Sequence, residues 1–203
     1  MWKRSSILIA LMMLMTAVVM TSSSCIFDPK ETNGGDVIND DPWPSLKNKE
    51  GVLETLQRSY NERTISHYQD ILDQGFTFFL SDGDVNAGLP VQWDRGVEVS
   101  ATTNLFSKSK VGDLPLVKNI EMDVSFAGAV WVEVIPASAP SEIWYTTTAF
   151  YFFQITVDQE GTDEDLTYYP DTNSKAQFTV RNAGTEAAPR WQLVEWRDLG
   201  AGT

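Results

Sequence analysis

Apolar residues recur at helical intervals in the first half of the chain and at alternate positions in the second. Over 49–61, Val52, Leu53, Leu56 and Tyr60 fall on one stripe, which predicts an amphipathic helix. A second helical segment is expected over 63–72, where Ile65, Tyr68 and Leu72 share a face and Gly75 stands ready to end it. Residues 76–80 read as a short aromatic strand and 81–92 as a loop. Asp94 is placed to cap a third helix carrying Val97, Ala101 and Leu105.

Beyond Ser107 the period changes. Strands are expected over 117–127, 129–135, 143–157, 175–181 and 191–198. Ile120, Met122, Val124 and Phe126 alternate with Glu121, Asp123 and Ser125, and Phe178 and Val180 alternate with Gln177, Thr179 and Arg181. The stretch 143–157 is long and rich in β-branched and aromatic residues, which predicts a bent central strand. Gly128 marks a tight turn, and the acidic stretch 158–173 reads as a hairpin loop. Helices followed by a run of strands predict a segregated α+β domain and not alternating βαβ units.

This order of elements resembles the NTF2-like superfamily, also called SnoaL-like or ketosteroid-isomerase-like. The resemblance rests on Leu56 with Tyr60-Asn61-Glu62-Arg63, on Tyr68 with Leu72-Asp73-Gln74-Gly75-Phe76-Thr77-Phe78, on Trp93-Asp94 with Glu98, and on the closing Trp191 to Asp198. It spans about 46–199 and implies a cone. In such a cone, N-terminal helices pack on a strongly curved, mainly antiparallel sheet, with a pocket at the wide end.

The N-terminus carries a different signal. Lys3 and Arg4 precede an almost unbroken apolar run over 7–20, then Thr21-Ser22-Ser23-Ser24 and Cys25. Charge, apolar run and small residues in that order are the layout of a secretory leader over 1–24. The run falls short of the about 20 apolar residues of a spanning helix. Cys25, the only cysteine, resembles the lipidated residue of bacterial lipoproteins, although Ser22 stands where that family has Leu. Ordinary secretion with a free thiol near the new N-terminus is the alternative, and the lipidated reading is the one favoured here. Residues 25–45, with Asp28-Pro29, Asn33-Gly34-Gly35 and Asp41-Pro42, read as a lipidated N-terminus and flexible linker ahead of a 46–203 domain. The expected location is the cell envelope, held to a membrane through the anchor.

Loss of Lys3 and Arg4 takes the formal charge from −13 to −15. Such a chain is repelled by phosphate backbones, so no nucleic-acid partner is expected. No intrachain disulfide can form with one cysteine.

Candidate chemistry is sparse. Superfamily enzymes use an Asp, or His and Asp together, with Tyr donors. Here the one histidine, His67, lies off the Ile65–Tyr68–Leu72 face and is expected at the surface beside Asp70. Glu98 and Glu195 are the carboxylates that could act beside a Tyr. Asp82, Asp84 and Asn86 match the first oxygens of a calcium loop, but Ala87 and Trp93 stand where Gly and Glu belong, so a plain turn fits better. No cofactor is expected. Tyr68, Phe78, Trp93, Tyr145, Tyr151 and Trp196 could line an apolar pocket, the usual build of a small-molecule site.

Three functions follow as expectations. The first is a membrane-anchored, non-catalytic lipoprotein binding a small apolar ligand or an envelope partner. The second is a pocket isomerase, dehydratase or hydrolase using buried carboxylates. The third is a homodimeric structural module.

Overall fold

The computed structural model describes residues 42–126, 128–159, 165–169 and 174–201. The expected leader, Cys25 and the linker as far as Asp41 lie outside them.

Helix α1 (Glu50–Glu62) buries Val52, Leu53, Leu56 and Tyr60, the stripe expected of it. It stops at Arg63, which adopts a left-handed conformation (φ 56°, ψ 49°) and turns the chain into α2 (Ile65–Ile71). The second helix is shorter than its pattern predicts. Leu72 leaves it directly as the first residue of β1 (Leu72–Phe79), because Leu72 and Phe76 are both buried there. Gly75 therefore lies inside a strand and ends no helix. Its N–H is taken by Asp73 Oδ1 at 2.8 Å, where the register of β1 shifts.

The expected loop 81–92 holds two small elements. Ser81 caps α3 (Asp82–Asn86), and β2 (Gln92–Asp94) pairs with β1. Asp94 then caps α4 (Arg95–Phe106) as expected, accepting from the Val97 N–H at 3.0 Å. The remaining strands are β3 (Val117–Ser125), β4 (Val132–Val134), β5 (Trp144–Asp158), β6 (Asp165–Tyr168), β7 (Ser174–Asn182) and β8 (Trp191–Ala201). The strand expected over 129–135 shrinks to three residues, and the acidic 158–173 stretch contains β6.

The sheet runs β2-β1-β8-β7-β5-β3 among the described residues. Among the described strands only β1 and β8 pair in parallel. The long β5 organises one half: one of its edges meets β3 and then β4, and the other meets β7 and then β6. The result is a few helices on a strongly curled, mixed sheet. The open edge of β3 is covered by α1. Asn61 makes two bonds to the Met122 backbone, accepting from its N–H at 2.7 Å and donating to its carbonyl at 2.9 Å, and Gln57 accepts from the Val124 N–H at 2.9 Å. Unpaired strand edges invite pairing with other chains, and these two side chains close one.

Candidate functional site

The inner face of the sheet carries an aromatic row that register puts in line. Trp93, Phe78, Trp196 and Phe178 are successive partners across β2, β1, β8 and β7. Trp93 stacks on Phe78 (4.6 Å between centroids, 8° between planes), Trp196 meets Phe78 at 5.2 Å, and Phe178 meets Trp196 at 5.4 Å. Tyr60 of α1 packs edge-on against Tyr68, Phe106 and Phe153.

The Glu98 carboxylate sits in this apolar setting. Glu98 is 4% exposed. The Tyr68 hydroxyl donates to its Oε1 at 2.5 Å and the Thr102 hydroxyl to the same oxygen at 3.0 Å, while the Trp93 indole N–H donates to Oε2 at 2.6 Å. Burying a carboxylate is costly unless donors replace its water, and here α2, β2 and the next turn of α4 each supply one. Tyr60 joins the network through Tyr68 and Thr102. Burial, reinforced by the negative Glu98, pushes both the Tyr60 and the Tyr68 phenols above their ordinary range. Both phenols thus stay neutral, and Tyr68 serves as a donor to Glu98.

A second polar group lies at the far end of β8. Tyr151 donates to Asp198 Oδ1 at 3.2 Å, and the Gly200 N–H donates to the same oxygen at 2.8 Å. Burial raises the Asp198 carboxyl above its ordinary value, the charge of Asp84 adds to the rise, and the Gly200 and Tyr151 bonds oppose it. Burial also raises the Tyr151 phenol, with Asp198 contributing. Asp84 is brought there by α3, where its Oδ2 accepts from the Ser81 hydroxyl at 2.6 Å. A Cβ built on Gly200 would lie 3.6 Å from Ser81 Cβ, so the cap of α3 rests against the end of β8.

The residues singled out from sequence divide accordingly. Tyr68, Phe78, Trp93, Trp196 and Glu98 come together in one cluster. Tyr151 adjoins it through Trp196, at 6.3 Å between rings. Tyr145 lies apart, beside Trp191 at 5.5 Å. Glu195 is flanked in β8 by the buried Val194 and Trp196, stays partly exposed and pairs with Arg197 at 3.8 Å. Asp82, Asp84 and Asn86 form a helical turn, and no group of three or more metal-ligating side chains occurs among the described residues. His67 stacks on Trp43 at 3.7 Å, and Asp70 faces Arg190 at 3.7 Å. Tyr60, Thr102 and Asp198 join these groups although the sequence pattern does not single them out as site residues. Asp198 carries a legible mark, since it follows the inward Trp196 by two positions on one strand.

Two hollows open elsewhere on the described surface. One, of about 250 Å³, lies between Pro115, Val157, Leu166 and Tyr168, and the other, of about 550 Å³, between Pro42, Pro44, Gln57, Arg58, Asn61 and Phe126. Neither is lined by the Glu98 cluster.

Helices on a strongly curled mixed sheet, in this order along the chain, are the cone that the sequence resemblance implies. The fold is NTF2-like. No protein-family model and no curated protein matches the sequence. Among solved structures, the NTF2-like domain is similar to a candidate dehydratase of the NTF2-like family from Streptomyces avermitilis. That pair shares 10% identity over 75% of this chain and 93% of the other, with a TM-score of 0.48. It is also similar to an NTF2-like superfamily protein from Salmonella enterica, at 8% identity over 75% and 87% of the two chains and a TM-score of 0.45. A third is the β subunit of a candidate aromatic-ring-hydroxylating dioxygenase from Novosphingobium aromaticivorans. Its identity is 10% over 76% and 87%, with a TM-score of 0.45. No helix among the described residues of the NTF2-like domain is long and apolar enough to cross a membrane.

Proposed function

We propose that this chain is an exported, lipid-anchored protein whose NTF2-like domain works by binding an envelope partner and not by catalysis. The observation that carries the reading is the state of Glu98. It is the carboxylate at the centre of the inner face, its oxygens are taken by three protein donors, and aromatic rings close around it. A general acid or base needs its proton within reach of a substrate atom. A group consumed by its own protein's hydrogen bonds in a packed core is built to hold structure. The packed interior also favours a partner on the outside over a small ligand inside.

Export and anchoring are supported by the leader-like order of 1–24 and by Cys25 directly after it. Mass spectrometry of the mature N-terminus, with membrane fractionation of wild type and Cys25→Ser, tests this part. An acylated Cys25 at the new N-terminus, and release of the variant into the soluble fraction, are expected. An unmodified Cys25, or a retained leader, overturns the anchor.

One observation favours an enzymatic reading: Asp198 combines a raised carboxyl with a neutral phenol at 3.2 Å, and the group keeps partial access to water. Titratable groups shifted by burial beside a donor are typical of acid–base sites. Assays of ester hydrolysis and β-hydroxyacyl dehydration separate the two readings. Turnover abolished by Asp198→Asn establishes catalysis and overturns the binding reading, and turnover absent from wild type removes the enzyme.

A further inference from the structure

Away from both polar groups, three aromatic side chains from distant parts of the chain surround one cation. Trp131 precedes β4, Tyr145 lies in β5 and Trp191 opens β8. The ammonium of Lys49 stands 4.3 Å from the Tyr145 ring centre, 5.0 Å from that of Trp191 and 6.0 Å from that of Trp131. Two of the rings are themselves held by carboxylates: the Trp131 indole N–H donates to Glu50 Oε1 at 2.7 Å, and the Tyr145 hydroxyl donates to Glu133 Oε1 at 3.0 Å. Tyr145 and Trp191 meet edge to face at 75°. All three rings and Lys49 are half-buried, so the box opens to solvent.

Three rings whose faces converge within about 6 Å of one point form an electrostatic well for a cation. Two carboxylates at its rim and a formal chain charge of −13 deepen it. Lys49 fills the well imperfectly. A primary ammonium is compact and strongly hydrated, and gives up water reluctantly to meet a ring face. An alkylated ammonium spreads its charge over methyl groups and suits an aromatic box better. The Lys49 stem is flexible and half-exposed, so the side chain can swing into water when another cation takes its place.

We propose that the Trp131–Tyr145–Trp191 box is a binding site for a quaternary or methylated ammonium group, with Lys49 as the occupant that such a ligand displaces. The chemistry is that of a trimethylammonium head, whether a free small molecule or the headgroup of a lipid. This goes beyond partner binding, and it stands or falls independently of the anchor at Cys25.

The test follows the tryptophan indole N–H resonances of the full chain during titration with choline, with ammonium chloride at equal ionic strength as control. The wild-type chain shifts its Trp131 and Trp191 signals at high choline. Lys49→Ala, and Lys49→Gln as a second opening variant, reach the same end point at choline concentrations lower by about tenfold or more, the loss of a competitor worth roughly 1.4 kcal/mol. Trp131→Ala in the Lys49→Ala background abolishes the response. Binding to phosphatidylcholine vesicles that is weakened by Trp131→Ala in the otherwise unchanged chain assigns the site to a lipid headgroup, and a response to choline with no such difference on vesicles assigns it to a soluble ligand. No choline-dependent shift in wild type or in either opening variant overturns the proposal. So does an equal shift with ammonium chloride.

Discussion

The Tyr68 hydroxyl donates to Glu98 Oε1 at 2.5 Å in a core where Tyr68 is fully buried and Glu98 is 4% exposed. Because Trp93 and Thr102 also donate to Glu98, three donors depend on one side chain. Glu98→Ala strands all three, and each buried unpaired donor costs about 1–3 kcal/mol. A loss of about 3–5 kcal/mol in urea unfolding is expected, near the upper end for a point change. Glu98→Gln keeps one acceptor but turns an amide donor toward another donor, and is expected to cost about half as much. A loss below about 1 kcal/mol in Glu98→Ala would show that water reaches the site and would reopen it as a pocket.

The Asp198 carboxyl has a folded-state value raised above 3.8, chiefly by burial. The folded chain therefore holds this proton more tightly than the unfolded chain does. Its contribution to stability is fully present below the ordinary carboxylate range and is lost as pH rises through the raised value. Wild type is expected to lose stability over that interval, and Asp198→Asn to lack that part of the slope while keeping an Oδ1 acceptor for Gly200 and Tyr151. Asp84→Asn, which removes a neighbouring negative charge, is expected to move the midpoint of the loss to lower pH. Urea midpoints of the three proteins from pH 4 upward check this, and parallel profiles for wild type and Asp198→Asn would refute it.

Much of this arrangement is legible in the sequence where one period operates alone. The stripe of Val52, Leu53, Leu56 and Tyr60 has a single helical solution, and Ile120, Met122 and Val124 have a single strand solution. Leu72 shows where the pattern becomes ambiguous: it completes a helical face with Ile65 and Tyr68, yet it also begins a strand with Phe76. Burial of Leu72 against the sheet decides between them, and that is a tertiary fact. The parallel pairing of β1 with β8, which sets Phe78 beside Trp196, joins segments more than a hundred residues apart and leaves no local trace. β6 is hidden because four residues within an acidic stretch carry too little alternation to stand out. Glu98 was visible as a carboxylate near aromatic residues, but its three donors come from separate elements and only the fold assembles them.

Asn61 saturates the free edge of β3 by bonding both the N–H and the carbonyl of Met122. Asn61→Ala leaves two backbone groups to water and opens the strand to pairing with another chain. The stability loss is expected to be about 1–2 kcal/mol, since the edge is only partly buried and water replaces the side chain in part. The sharper readout is association: light scattering on the variant is expected to show concentration-dependent growth absent from wild type. Asn61→Asp, which keeps the acceptor for the Met122 N–H but loses the donor, should fall between them. An Asn61→Ala protein that scatters as wild type does would show that Gln57 alone closes the edge.

The segment before α1 is seated on the domain, and Gly51 is what permits it. Trp43 stacks on His67 at 3.7 Å and lies under the Arg58 guanidinium at 4.5 Å, and the Leu46 carbonyl accepts from the Trp191 N–H at 2.8 Å. Between these anchors the Ser45 carbonyl crosses Gly51 so closely that a Cβ there would lie 2.0 Å from its oxygen and 2.9 Å from its carbon. Gly-to-Ala changes inside helices usually stabilise by about 0.5–1 kcal/mol. Here the sign reverses, because the contact is with backbone that can give way only by lifting the segment. Gly51→Ala is expected to destabilise by about 1–3 kcal/mol, the range for overpacking. Trypsin should then cut faster after Lys47. If lifting the segment is the cause, Trp43→Ala removes the anchor that Gly51→Ala strains, and the double variant loses less than the two single losses added together. Strict additivity would place the strain within α1 and not beneath Ser45.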